Sequence, residues 1–346
     1  MRIFSYRNKR LVRRGLIIAL VAVLLVALLI LARVSYLGRY VVYAPDGVYF
    51  DKEQQLQRAD VSSDAVQTDE EYPFETVLAD AAEEETAVTA VQLQGFYIST
   101  TMLADGVDEV RQALAAEEGY NAVLIDVKSP LGNFYYSTDI ADTQTADADI
   151  AACDALIAEL TARPELTVIA RVPAFSDPNF IAKHYSAALM TTSGELWMDE
   201  RRCYWLRPDS LDARSYLASI ALELETLGFD EVLFDNFTVP GDGTVAWDTE
   251  AITQLAALED CAETLLANLT GSNIRLTLGT TAPSVAQYAS RVLITTETAN
   301  DVVSMTTAMA DVLSDPATQL VFLTTSHDTR FDAAGVLRPL LGGDTD

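Results

Sequence analysis

From Val91 to the C-terminus, short β-branched or aromatic runs alternate with amphipathic helical stretches, the pattern of a parallel sheet assembled from βα units. Four strands stand out, at 94–99 (QGFYIS), 122–128 (AVLIDVK), 167–172 (TVIARV) and 231–237 (EVLFDNF). Between them helices are expected over 107–118, 150–162 and 213–227, the last stopped by Gly228 at a position that suits a helix C′ residue. A long helix over 249–269 leads through the turn-like 271–273 to a fifth strand at 274–279. Strands six to eight are expected at 292–295, 301–305 and 320–324, with helices after Ser284 and over 306–313. Roughly 250 residues is the length of one (β/α)8 barrel, so the expected fold is an α/β barrel of the TIM type over 91–346. The irregular spacing beyond the fifth strand leaves other α/β arrangements open.

Successive strand side chains point to opposite faces, so polar residues inside strands constrain the reading further. Leu124, Asp126 and Lys128 share one face of the second strand, Ile169 and Arg171 one face of the third, and Leu233 and Asp235 one face of the fourth. If the purely apolar faces, such as Val232 with Phe234, pack on helices, then Asp126, Lys128, Arg171 and Asp235 point into the barrel at its C-terminal rim. Barrel enzymes place their chemistry there, although a structural cluster of ion pairs satisfies the same pattern. Tyr97 and Ser99 are expected in the same lumen.

Upstream, residues 15–32 (GLIIALVAVLLVALLILA) form an apolar run without a charge, close to the ~20 residues that span a bilayer core. Six basic residues precede it, among them Arg13 and Arg14, and only Arg33 and Arg39 follow closely, so the N-terminus is expected in the cytoplasm and the remainder outside it. The run is longer than a usual signal-peptide core and no small-x-small cleavage site stands out, which favours an uncleaved anchor over a cleaved leader. The expected organisation is a basic tail (1–14), a transmembrane anchor (15–32), an acidic linker (33–90) with clusters at 69–71 and 83–85, and the barrel domain (91–346). The short apolar patch at 47–50 is either part of that spacer or a docking segment.

The chain carries 23 Lys and Arg against 51 Asp and Glu. Its first 40 residues hold eight basic residues and no acidic one, so the rest has a net charge of −36. That field repels nucleic acid and anionic headgroups and excludes a basic-patch function for the exported part. Cys153, Cys203 and Cys261 are widely spaced and odd in number, unlike the framework of a small disulfide-rich domain. With His184 and His327 as the two histidines, the usual zinc sites lack ligands, and no cofactor is expected.

Five ordered segments between Gly95 and Pro240 carry a family resemblance: GFYIST, YNAVLIDVKSPLGNFYYS, VIARVPAFSDP, GELWMDERRCYWLRPDS and LGFDEVLFDNFTVP. Together they resemble a glycoside-hydrolase-like barrel family, itself distantly similar to α-amylase-type barrels. The family's second strand typically ends Asp-x-Lys, matched by Asp126 and Lys128, and Arg171, Phe175, Asp177 and Pro178 fall in register. Its fourth-strand segment usually reads Phe-Asp-Tyr-x-Arg-Phe-Pro. Here Phe234 and Asp235 are kept, Asn236 replaces the tyrosine and Thr238 stands in place of the arginine. Arg207 occupies the position of an aspartate in the Trp-x-Asp-Pro segment, and the later strand segments do not align.

The resemblance implies hydrolysis of glycosidic bonds, which needs one protonated carboxyl and one ionised carboxylate on either side of the scissile bond. Asp235 is the expected ionised partner, held so by Lys128 or Arg171. Glu297, just after the sixth candidate strand, is the expected proton donor by topology, and Asp126 is the alternative donor or a sugar ligand. Lys128, Arg171, Tyr97, Asn236 and Trp205 are expected to bind substrate. Trp197, Tyr204 and Trp205 form either an aromatic platform or a loop packed as a lid or as core. His327 with Asp328 is a weaker rim candidate. Two further classes remain open: a glycan-binding or envelope scaffold protein without turnover, and a metal-dependent hydrolase using Asp126, Asp235 and His327.

Overall fold

The computed structural model describes residues 41–44, 47–50, 91–241, 243–248 and 252–342. The apolar run at 15–32 and the acidic clusters at 69–71 and 83–85 lie outside them, and among the described residues no helix is long and apolar enough to cross a membrane. Within the span read as a linker, Val41–Ala44 pairs antiparallel with Gly47–Phe50.

Eight parallel strands close into a barrel. In chain order they are β1 (Gln94–Ile98), β2 (Ala122–Asp126), β3 (Thr167–Pro173), β4 (Glu231–Asp235), β5 (Arg275–Leu278), β6 (Arg291–Thr295), β7 (Leu320–Leu323) and β8 (Gly335–Pro339). Each pairs with its sequence neighbour, and β8 returns to β1 with Val336 opposite Gln94. The helices are α1 (Thr100–Asp105), α2 (Val107–Ala116), α3 (Ile150–Thr161), α4 (Pro178–Ile181), α5 (Leu211–Thr226), α6 (Gln254–Asn268), α7 (Pro283–Ala286), α8 (Asn300–Met309) and α9 (Pro316–Gln319). Side-chain caps start several of them: Asp149 accepts from Ala152 N, Ser210 from Ala213 N and Thr253 from Ala256 N, each satisfying an otherwise orphaned first-turn donor. Gly228 ends α5 at φ 88° with Thr161 packed 3.1 Å from where a Cβ would stand.

Two corrections to the strand reading follow. Residues 301–305 lie in α8 rather than in a strand, because Val302 and Met309 fall seven positions apart and are buried on one helix face. The eighth strand is Gly335–Pro339, which the sequence hides behind a glycine, an arginine and a proline.

Alternation sorts the core as expected. Leu124, Ile169, Leu233, Leu293, Val321, Leu323 and Leu337 fill the lumen with Tyr97, while Val123, Ile125, Val168, Val232 and Phe234 join the layer under the helices. The inward face of β4 carries Glu231, Leu233 and Asp235 in turn, so an apolar middle separates one carboxylate at the barrel floor from another at the rim. Glu231 is fully buried and receives Arg275 at 2.9 Å, Thr277 Oγ1 at 2.8 Å and Arg291.

Candidate active site

Tyr97, Asp126, Arg171 and Asp235 reach the C-terminal rim from four adjacent strands. Arg171 donates from Nε at 3.0 Å and Nη2 at 2.6 Å to Oδ2 of Asp235. Its Nη1 donates to Tyr97 Oη at 2.9 Å and, at 3.4 Å, to Asp126 Oδ1. Tyr97 donates in turn to Asp126 Oδ2 at 2.6 Å, and its ring centroid lies 5.2 Å from the guanidinium carbon. One arginine therefore bridges two carboxylates. Oδ1 of Asp235 has no hydrogen-bond partner among the described residues.

The two carboxyls differ in surroundings. Burial pushes Asp126 above the ordinary aspartate range, Arg171 and the Tyr97 hydroxyl oppose that rise, and the charge of Asp235 adds to it. Burial acts against the charge of Arg171, but Asp235 and Asp126 more than offset it and hold the guanidinium protonated. Burial first, and then Asp126, keep the Tyr97 phenol protonated.

Gly279, just past β5, is what lets Asp235 sit where it does. A Cβ there would collide with Asp235 Oδ1 and lie 2.9 Å from Asp235 Cα. Nothing in the sequence marks that glycine beyond its place at a strand end. Asn236 follows Asp235 with φ 51°, a left-handed conformation that asparagine tolerates better than most residues, and its side chain is exposed. A cavity of about 270 Å³ opens beside both residues, with Asp235 as the one carboxylate in its lining.

Three expected site residues are placed otherwise. Lys128 is 1% exposed, pairs with Asp177 Oδ2 at 2.9 Å and donates to Ser176 O at 3.2 Å, away from Asp126 and Asp235. The reason is that β2 ends at Asp126, so two-residue alternation does not extend to position 128; Lys128 instead bridges to Phe134 across a turn. Asp177, buried and also bonded by Tyr216 Oη and Phe180 N, is the partner that sequence spacing did not reveal. Glu297 accepts from Thr325 N at 2.9 Å, Thr325 Oγ1 at 2.7 Å and Thr324 Oγ1 at 3.2 Å. Partial burial raises it, but these hydrogen bonds outweigh that and hold it below the ordinary glutamate range, the wrong direction for a proton donor. Trp205 stands edge-on to Trp197 with centroids 5.5 Å apart and donates to Asp199 Oδ2 at 2.9 Å. Both belong to a small core with Leu189 and Val245, where the long segment after β3 pairs with the segment after β4 through Thr191 and Val245. Trp197 and Trp205 thus pack as core.

Asp328 pairs with Arg330 at 2.6 Å rather than with His327. Among the described residues no group of three His, Cys, Asp or Glu side chains is arranged to hold a metal ion. Cys153, Cys203 and Cys261 are free and buried.

Among solved structures, a GH20 exo-β-N-acetylglucosaminidase from Vibrio harveyi aligns over 72% of this chain and 50% of its own, at 9% identity and a TM-score of 0.50, a likeness of fold. A hypothetical protein from Ruminiclostridium thermocellum aligns at 23% identity over 52% of this chain and 96% of its own, with a TM-score of 0.45. Ega3 of Aspergillus fumigatus, in complex with galactosamine, aligns at 14% identity over 72% and 92%, also at 0.45. No curated protein sequence matches significantly. Residues 95–304, more than half of the chain and spanning β1 to α8, match the family model described as "Putative glycosyl hydrolase domain", and the protein belongs to that family.

Proposed function

We propose that the protein is a membrane-anchored, extracytoplasmic glycoside hydrolase acting on an envelope or environmental glycan. The observation that carries this reading is Arg171 held between Asp126 and Asp235 at the rim of a barrel whose family is that of glycosyl hydrolases. One guanidinium bridging both carboxyls keeps their nearest oxygens no farther apart than the roughly 5–10 Å over which glycosidase carboxyl pairs work. Asp235, doubly bonded by Arg171 through Oδ2, presents Oδ1 to the substrate as nucleophile or base. Asp126, whose surroundings favour its protonated form, takes over from Glu297 the role of donor to the leaving oxygen. In the net reaction the glycosidic C–O bond breaks, the leaving oxygen gains that proton, and water supplies the hydroxyl to the anomeric carbon.

The anchor rests on residues 15–32 and the basic residues before them. Cell fractionation and protease accessibility test it: the barrel should be cut from the outside of intact cells, and a barrel protected until lysis contradicts it.

A glycan-binding protein without turnover is the second reading. It is favoured by a specific feature: both oxygens of Asp126 are engaged, and the cavity beside Asp235 has a single carboxylate. Hydrolysis of a panel of polysaccharides and aryl glycosides by the full chain, with Asp235→Asn and Asp126→Asn, separates the two. Turnover in the parent that both variants lose supports the hydrolase. Glycan binding with no turnover in any of the three supports the binding protein.

A further inference from the structure

The cavity beside Asp235 lies between the ends of β4, β5 and β6 and combines an apolar wall with an uncharged polar rim. Phe237, Leu258, Leu293 and Ile294 form the wall. Asn236, Thr238, Thr281 and Thr295 form the rim; all four are exposed, and their side chains have no hydrogen-bond partner among the described residues. Asp235 is the one charged residue in the lining, and Arg171, its counter-ion, approaches it from the lumen through Oδ2.

Resting on the carbohydrate reading above, we infer that this cavity is a subsite for a single sugar ring without a carboxylate and discriminates against uronic acids. Size sets the first limit. About 270 Å³ is just below the roughly 300–1,000 Å³ of pockets that enclose drug-sized ligands, so it holds one ring, and further units of a chain would lie outside it. Chemistry sets the second. A pyranose offers C–H faces to an apolar wall and hydroxyls to a polar edge, and here the amide and three hydroxyls wait without competing partners. Charge sets the third. A uronate would bring its carboxylate next to the unpaired Oδ1 of Asp235 with no cation in the lining to receive it. Thr238 is the position at which this difference is set, because an arginine there would supply the missing cation. Asn236, in its left-handed conformation directly after Asp235, orients the rim next to the reactive oxygen.

The test is equilibrium binding of methyl hexopyranosides (gluco, galacto and manno) and methyl glucuronide to the full chain near neutral pH. The expected result is at least one neutral glycoside binding about tenfold or more tighter than methyl glucuronide, with Thr281→Val and Thr295→Val each weakening it about three- to tenfold. Thr238→Arg should weaken the neutral glycoside and strengthen the glucuronide. The glucuronide binding as well as the neutral glycosides overturns the inference. So does neutral binding that none of the three variants changes, which places the sugar elsewhere on the rim while keeping the carbohydrate reading. Binding of no member of the panel removes the carbohydrate reading itself, and the subsite with it.

Discussion

Arg171 gives two hydrogen bonds to the same oxygen of Asp235, at 3.0 and 2.6 Å, and leaves the other oxygen without a protein partner. The arginine thus fixes the orientation of the carboxyl group through Oδ2. Removing it breaks a buried ionic group, leaving Asp235 without its counter-ion and Tyr97 and Asp126 without their shared donor. Arg171→Met should therefore destabilise the fold by about 3–5 kcal/mol, measured by urea unfolding. A loss within about 0.5 kcal/mol, the usual range for surface substitutions, would contradict the bridge.

Gly279 and Asp235 are coupled by space. An alanine methyl would overlap Oδ1 of Asp235, so Gly279→Ala should turn the carboxylate away and lower glycan turnover more than tenfold, at a stability cost of about 1–3 kcal/mol. Unchanged turnover and stability would mean that the two strand ends are not in contact.

Asp126 makes stability depend on pH with a definite sign. Its folded-state pKa is raised, chiefly by burial, so the folded protein binds that proton more tightly than the unfolded chain. Its contribution is most favourable at or below the unfolded value of about 3.9 and is lost as pH rises through the folded pKa. Asp126→Asn removes this component. Its unfolding free energy should fall less than the parent's as pH rises from about 4 to 8, and parallel curves would contradict the assignment.

Glu231, at the opposite end of the same strand face, separates structure from function. It is fully buried against Arg275, Arg291 and Thr277. Glu231→Gln leaves two arginines facing one another and should cost about 3–5 kcal/mol, while glycan binding at the rim stays within twofold of the parent under folding conditions. A binding loss larger than the loss of folded protein would contradict the separation of floor and rim.

Much of this was legible in the sequence, because period-two alternation carries information wherever a strand has a definite inside. Asp126, Arg171 and Asp235 share faces with Leu124, Ile169 and Leu233, and that was enough to put them in the lumen. The same rule failed at Lys128, which lies two residues beyond the last ladder residue of β2 and follows a turn instead. It failed again at 301–305, where adjacent valines imitate a strand and only the longer spacing to Met309 reveals a helix. β8 carries too few branched residues to be seen without its partners β7 and β1. Electrostatic roles were less legible than positions. Glu297 stands at a strand end as topology required, yet its protonation is decided by Thr324 and Thr325, brought to it from the end of β7 by the fold.

The measurement that most directly tests the central claim is glycan binding and hydrolysis determined side by side for the full chain and Asp235→Asn, on whichever substrate the panel yields. Hydrolysis should vanish in the variant while binding stays within about tenfold, because the amide keeps the shape of the carboxylate without its nucleophilic oxygen. Hydrolysis that survives the substitution at the parent rate would contradict the account and move the chemistry away from Asp235.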